Sequence, residues 1–360
     1  MRIALITTSY PSAPGDPSGH FVRTHGERLA RQGHDIHVIA PQGSIFDTPT
    51  HKDHVWLHPA GGAFLFRFPG ALANAREQPL RLAGAIAFAH GARKRLWALR
   101  QSGEIDRIIA HWIVPSAFPL LLLSRPASLW VYAHGADIRF LLAAPQALRQ
   151  AIITSLLSQG AHFYFAAKTL QDALAASLSP SLSARLMATS QVELPAMDMP
   201  DISGLMARGQ ELRASLNLRP KQRLALCIGR LIEGKRVELA LGAAAKTRAH
   251  LVIIGDGPMR REHTHLAHTL SGDTTFLGTL PRPCALSWLS AADVLLHPSA
   301  AEAAPTVVRE ARFLKVPVIA CDVGDIGLWA ASDRGILVVR PSEFVERAST
   351  WLDQAVDASR

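Results

Sequence analysis

"DVLLHPSAAEAAPTVVREARFLKVPVIACD", residues 293–322, decides the fold of this chain. "DVLLHPS" and "VPVIACD" are near-continuous apolar runs, and "TVVREARFLK" between them has helical spacing. Strands without polar alternation are buried on both faces, and a helix after each such strand means a parallel sheet covered on both sides. Working back from this stretch, "RLALCIG", "ELALGAAAKTR", "HLVIIG", "MRREHTHLAHTL", "TTFLG" and "CALSWLSAA" keep the same rhythm. The first half repeats it: "RIALITT", "FVRTHGERLARQG", "DIHVIAP", "IDRIIAH", a helix from about Ser116, and "SLWVYAH". Two such blocks predict an α/β chain of two doubly wound Rossmann-like domains.

The predicted bounds are 1–195 for the first domain and 206–335 for the second. Between them lies a linker at 196–205, where "PAMDMPDISGL" clusters Pro, Asp, Ser and Gly. A strand and helix follow at 336–360. Phe344, Ala348, Trp351 and Leu352 have helical spacing there, and packing on their own domain or back across the boundary both stay open. At 360 residues, two domains are also what chain length predicts.

Composition narrows the class. Charged residues make up 19% and apolar residues 48%, the balance of a globular protein. Three widely spaced cysteines without a CxxC give neither a disulfide framework nor a zinc knuckle. The segment "PSAFPLLLLSRPASLWVYAHG" is interrupted by Arg125 and prolines, which speaks against a spanning helix. The N-terminal run reads as a first strand rather than a signal segment. Of the net charge of +9, residues 1–195 hold +7, from 18 Lys/Arg against 11 Asp/Glu. A basic half suits phosphorylated substrates, anionic lipid or nucleic acid, but no nucleic-acid module accompanies it. No G-x-G-x-x-G follows the first strand, which counts against a nicotinamide dehydrogenase.

Ligands of open parallel sheets bind outside the carboxyl ends of the strands. That rule selects "GRLIEGKR" with Arg230 and Lys235, "GDGP", "SAAEAAPTVVREA", "VGDIG", and in the first half "SYPSAPGDPSGH". Pro305 suits a first helical turn and Ala304 offers no side-chain cap, so the amides of Thr306 and Val307 stay available to a phosphate. Glu310 lies five residues past Pro305, about 7 Å along the axis, placed to accept hydrogen bonds from a ribose. Glu302 on the loop reaches a second polyol, and Arg230 with Lys235 neutralises phosphate charge.

These motifs resemble those of family 4 retaining glycosyltransferases with the GT-B fold, of the glycosyl transferases group 1 and bacterial surface-polysaccharide type. The carriers are "CIGRLIEGKRVE", "HLVIIGDGPMR", "TTFLGTL", "SAADVLLHPSAAEAAPTVVREA" and "VPVIACDVG", with "YPSAPGDPSGHFVRTHGERLARQGHDIHVIAP", "HWIVPSA" and "HGADI" in the first half. The resemblance implies two Rossmann-like domains facing each other across a cleft, the first binding acceptor and the second a nucleotide sugar. It implies a hexosyltransferase working in the cytoplasm, with the inner face of the plasma membrane as a place of association. The donor would be UDP- or GDP-linked, the acceptor a glycan or lipid-linked hydroxyl in exopolysaccharide, lipopolysaccharide or lipid-linked glycan synthesis. Arg230, Lys235, Gly19, Thr306 and Val307 would hold the diphosphate. Glu310, Glu302, Ala304 and Pro305 would hold ribose and hexose, and Glu302 and His134 would be the catalytic pair. The resemblance implies no metal cofactor, in line with the lack of a DxD-type motif. It departs at Arg236, where the family commonly has glycine. The alternatives are a GT-B sugar-nucleotide epimerase and a catalytically silent GT-B subunit that binds a partner transferase or glycan.

Other residues keep two readings. His111 after a strand either lines the cleft and binds acceptor or is structural. Asp137 either binds an acceptor hydroxyl or caps the next helix. "RLAGAIAFAHGARKRLWALR", 81–100, either lies on an anionic membrane through Arg93, Lys94, Arg95 and Arg100 or covers the sheet. His263, His265 and His268 lack a carboxylate partner motif for a metal.

Overall fold

A computed structural model describes residues 1–11, 16, 18–52, 54–67, 70–118 and 128–354. The chain divides into two compact units, Met1–Ala196 and Met197–Arg360. The first carries β1 (Arg2–Ile6), β2 (Asp35–Ala40), β3 (Thr50–Lys52), β4 (Val55–Pro59), β5 (Arg107–His111), β6 (Leu129–Ala133), β7 (Ala161–Phe165) and β8 (Ser190–Val192). They lie in the order β3-β4-β2-β1-β5-β6-β7-β8. Every pairing is parallel except the antiparallel edge pair of β3 on β4.

The second unit carries β9 (Leu224–Ile228), β10 (His250–Ile254), β11 (Thr274–Gly278), β12 (Val294–His297), β13 (Val318–Cys321) and β14 (Ile336–Val339). Their order is β11-β10-β9-β12-β13-β14, all parallel. This is the doubly wound order in which the chain reverses direction between the first strand and the fourth. The switch point lies between β9 and β12 here, and between β1 and β5 in the first unit.

The apolar runs make these sheets because successive side chains leave a strand on opposite faces. Ala225, Cys227, Leu251, Ile253, Leu296 and Ile319 enter one core of the second unit. Their neighbours Leu224, Leu226, Val252, Ile254, Leu295 and Val318 enter the core on the other face. Both faces are covered, so a polar side chain within a strand must find a partner, as His37 of β2 does in His58 of β4 at 3.0 Å.

Three expectations are refined. Met197 opens the second unit, and the helix Ile202–Ser215 starts inside the stretch that reads as linker. The Asp201 carboxylate accepts the amide protons of Ser203 and Gly204, at 3.1 and 3.0 Å, so the polar cluster is a helix cap rather than a spacer. The helix Phe344–Asp353 packs on its own unit: Phe344, Ala348 and Leu352 share a core with Val237, Ala240 and Leu241. The helix expected from Ser116 is a single turn over Ile113–Ala117, and its continuation at 119–127 lies outside the described residues.

Candidate active site

In the second unit the loops after β9 and β12 meet, as a switch point requires. The Ala300 amide donates to the Gly234 carbonyl at 2.8 Å, stitching the two loops together. A Cβ on Gly255, which has φ 135°, would stand 1.9 Å from the Gly229 carbonyl oxygen. Only glycine lets these strand ends approach so closely.

Lys235 ends a short turn over Glu233–Lys235, and its ammonium pairs with the Glu302 carboxylate. His297 at the end of β12 sits with Nε2 3.5 Å from the same carboxylate. Burial pushes the Glu302 carboxyl up, but Lys235 and His297 outweigh it and hold the group well below the usual carboxylate range. Glu302 is therefore a fixed anion that accepts hydrogen bonds, not a proton donor. Burial also lowers His297, against the opposing pull of the Glu302 carboxylate. Next along the chain, Arg236 takes the left-handed conformation, with φ 49° and ψ 41°.

The helix Thr306–Phe313 begins with Pro305 in the cap position, one residue later than the sequence suggests, and no side chain caps it. Thr306, Val307 and Ala304 are half-buried at that start. Glu310 faces inward at 8% exposure, and Oε1 accepts from Arg282 Nε at 2.9 Å and Nη2 at 2.8 Å. Sequence reasoning missed Arg282. Its one signal is its place a few residues beyond the end of β11, on the sheet edge that carries ligands. Arg230 is exposed after β9. Lys235 and Glu302 are thus brought together, while Glu310 is held separately by Arg282.

In the first unit Gly19 caps the helix His20–Arg31 at φ 62°. A Cβ there would lie 2.1 Å from the Ser9 carbonyl oxygen, so the loop after β1 closes over its own helix start. The remaining loop residues 12–15 and 17 lie outside the described residues. His134, the first residue after β6, donates to or accepts from His111, with Nε2 2.8 Å from His111 Nδ1. His111 Nε2 in turn lies 3.1 Å from Nδ1 of His25, a residue with no motif to announce it. Burial lowers all three, His134 to about 3 and His25 to about 4, so the cluster is uncharged at neutral pH.

Two of the expected acceptor contacts are corrected. His111 is buried with both ring nitrogens occupied by histidines, so it acts at one remove from any ligand. Asp137, 2% exposed, accepts four backbone amides: His134, Gly135 and Ile138 on Oδ1, and Ile113 on Oδ2. Its carboxylate is saturated and staples the turn after β5 to the turn after β6. Between them Trp112 adopts φ 72°, a sparsely populated conformation for a bulky residue. Arg95 is likewise withdrawn from a surface role, because its guanidinium donates to the carbonyls of Pro59, Ile45 and Asp47. His263 is buried beside Glu238 and away from a shared metal face with His265 and His268.

Residues 222–354 match the family model of glycosyl transferases group 1. The chain is 27% identical, over 94% of its own length and 85% of the relative's, to a Bacillus subtilis protein described as a teichuronic acid biosynthesis glycosyltransferase, TuaC. Sucrose-phosphate synthase from Thermosynechococcus elongatus superposes with a TM-score of 0.71 at 21% identity, covering 96% of this chain and 88% of that one. Anabaena HepE in complex with UDP-glucose superposes with a TM-score of 0.65 at 17% identity, covering 98% and 89%. Two doubly wound units, the strand-end loops of the second and these likenesses agree: the chain has the GT-B fold of glycosyltransferases, and its residues 222–354 resemble glycosyl transferases group 1.

Proposed function

We propose that the protein is a retaining hexosyltransferase that takes its sugar from a nucleoside diphosphate sugar and serves bacterial surface-polysaccharide assembly. The observation that carries this reading is the junction of Lys235, Glu302 and the uncapped start of the helix Thr306–Phe313 at the switch point of the second unit. A cation beside free helical amides suits a diphosphate. Arg230 adds a second cation to the diphosphate contacts in this reading. A fixed carboxylate at Glu302 suits hexose hydroxyls, beside the backbone of Ala304 and Pro305, and Glu310 held by Arg282 suits the vicinal hydroxyls of a ribose.

In the transfer the bond from the sugar's anomeric carbon to the diphosphate breaks. The acceptor oxygen bonds on the same face, and its proton passes to the leaving diphosphate oxygen. Lys235, Arg230 and the helix start stabilise the charge that develops there. No step calls on a metal ion. UDP-glucose bound to a structural neighbour and the teichuronic acid relative support a nucleotide-sugar donor and a surface-glycan acceptor.

A lipid-linked acceptor is supported by the helix Ala83–Gln101, which exposes Ile86 and Trp97 along with Arg93 and Lys94. This combination suits the surface of an anionic membrane. Among the described residues no helix is long and apolar enough to cross one.

The test is a panel of UDP-, GDP- and ADP-sugars, read by thermal shift and release of the nucleoside diphosphate. Stabilisation by one donor, lost in Glu310→Ala and Arg230→Ala, is the expected result. Wild-type protein indifferent to every donor would overturn the reading in favour of a silent subunit.

A further inference from the structure

Three imidazoles lie in a row at the switch point of the first unit. His25 is on the helix that follows β1, His111 ends β5, and His134 follows β6. The rings of His111 and His134 are 5° from coplanar with centroids 5.0 Å apart, the arrangement of two imidazoles hydrogen-bonded edge to edge rather than stacked. Aromatic side chains wall them in. Phe21 and Trp112 lie 4.8 and 4.9 Å from the His134 ring, and Tyr132 lies 4.9 Å from His111 and 5.0 Å from His25. At the end of the row, His134 Nδ1 is shut off from solvent and has no hydrogen-bond partner. A buried polar atom left bare is costly, and a part in catalysis is one physical reason for a site to keep one.

A count of protons shows the use. Three neutral imidazoles hold three N–H groups, and the two hydrogen bonds between them consume two. The third sits at one end of the row: on His134 Nδ1 or on His25 Nε2. We infer that His25, His111 and His134 form a proton-conserving relay that lets His134 Nδ1 alternate between donor and acceptor towards a sugar or acceptor hydroxyl, with His25 and His111 as positioning residues. The identity of that hydroxyl rests on the transferase reading above; the relay itself does not.

The exchange balances without building charge. When His134 Nδ1 gives its proton to a ligand oxygen, the proton between His111 and His134 crosses from His111 Nδ1 to His134 Nε2. The proton between His25 and His111 crosses from His25 Nδ1 to His111 Nε2. Water supplies one proton to His25 Nε2, at the half-buried end of the row, and the hydroxide left behind takes up the ligand hydroxyl's original proton, so that water and hydroxyl are both restored. The charged groups around the row favour the neutral state. Arg28 on the same helix opposes a positive His25. Glu193 is occupied by the Tyr132 hydroxyl at 3.4 Å, and Asp137 is saturated by backbone amides.

The test separates relay from packing. An asparagine at position 25 places an amide where His25 Nδ1 stands, so it keeps a hydrogen bond to His111 but passes no proton. His25→Asn and His25→Leu would be compared in the full chain, with kcat and KM read from the transfer assay. Ring-nitrogen NMR of 15N-histidine protein would be recorded without ligand. The relay predicts that both variants lower kcat about tenfold or more with KM unchanged. It also predicts that the ring-nitrogen resonances of His134 move although His134 does not touch residue 25. Recovery of wild-type kcat by His25→Asn, or His134 resonances that ignore both substitutions, would overturn it. If wild-type protein turns over no donor, the transferase reading fails instead, and the ligand-free spectra alone decide the relay.

Discussion

Lys235→Met is the most informative single perturbation of the second unit. The pair it breaks is well shielded, with the Lys235 side chain 20% and the Glu302 side chain 17% exposed. Removing one partner of a buried ion pair leaves the other charge uncompensated, at a cost of about 3–5 kcal/mol. Partial exposure and the neighbouring His297 place this case at the lower end, about 3 kcal/mol. That is roughly two decades in an equilibrium constant.

The pH dependence changes sign as well. In the wild type the Glu302 carboxyl is held below its ordinary range by Lys235. Its contribution is therefore present at neutral pH and falls away only as pH drops below the ordinary carboxylate value. In Lys235→Met the buried, unpaired carboxylate gains a proton more readily than in the unfolded chain, so the damage shrinks as pH falls from 7 to 5. Lys235→Met/Glu302→Gln removes the stranded charge and returns stability to within about 1 kcal/mol of wild type. Denaturant-dependent hydrogen exchange of peptides covering β9 and β12 reads all three proteins. It confines the measurement to the second unit, where a whole-chain melt mixes both. A loss in Lys235→Met below about 1 kcal/mol, no rescue by glutamine, or a loss indifferent to pH would refute the argument.

Two further outcomes follow from the same physics. Burial, assisted by the charges of His37, Arg95 and Arg2, lowers His58 from 6.5 to about 4. The unfolded chain thus binds a proton that the native one refuses, and the first unit loses about 2 kcal/mol per such histidine between pH 7.5 and 5. Urea midpoints at the two pH values measure this, and a His58→Gln variant with an undiminished pH slope would contradict it. Arg236→Gly relieves a left-handed residue and raises stability by about 1 kcal/mol. Peptides spanning the helix Val237–Ala245 report it by slower exchange, and faster exchange there would mean that the Arg236 side chain outweighs the strain.

The sheets were legible because unbroken apolar runs such as "LALCI" and "HLVII" leave no solvent face, and the switch point follows from their order. Lys235 and Glu302, 67 residues apart, were legible as neighbours at one end of the sheet because both loops follow strands of one parallel sheet. Their direct ion pair was not, since loop geometry alone decides which ends touch. His25 carries no local signal, as one histidine on an amphipathic helix resembles any other. Asp137 was readable only as one of two alternatives. Saturation by four amides depends on the Ile113 turn, which no spacing in "HGADI" reveals. Arg282 shows the same limit, because its carboxylate partner comes from a helix 28 residues away.

The staple made by Asp137 has a consequence for how such proteins can be recombined. One side chain holds amides from two loops that lie 24 residues apart in the chain. An engineer who transplants "HWIVPSA" from a relative while leaving "HGADI" untouched changes the geometry on one side of a shared fastening and keeps the other. Chimeras cut between the two segments should therefore misalign His111 and His134 together, whereas exchanging residues 107–138 as one cassette preserves the fastening. The unit of inheritance at this edge of the first domain is the pair of loops, not either loop alone.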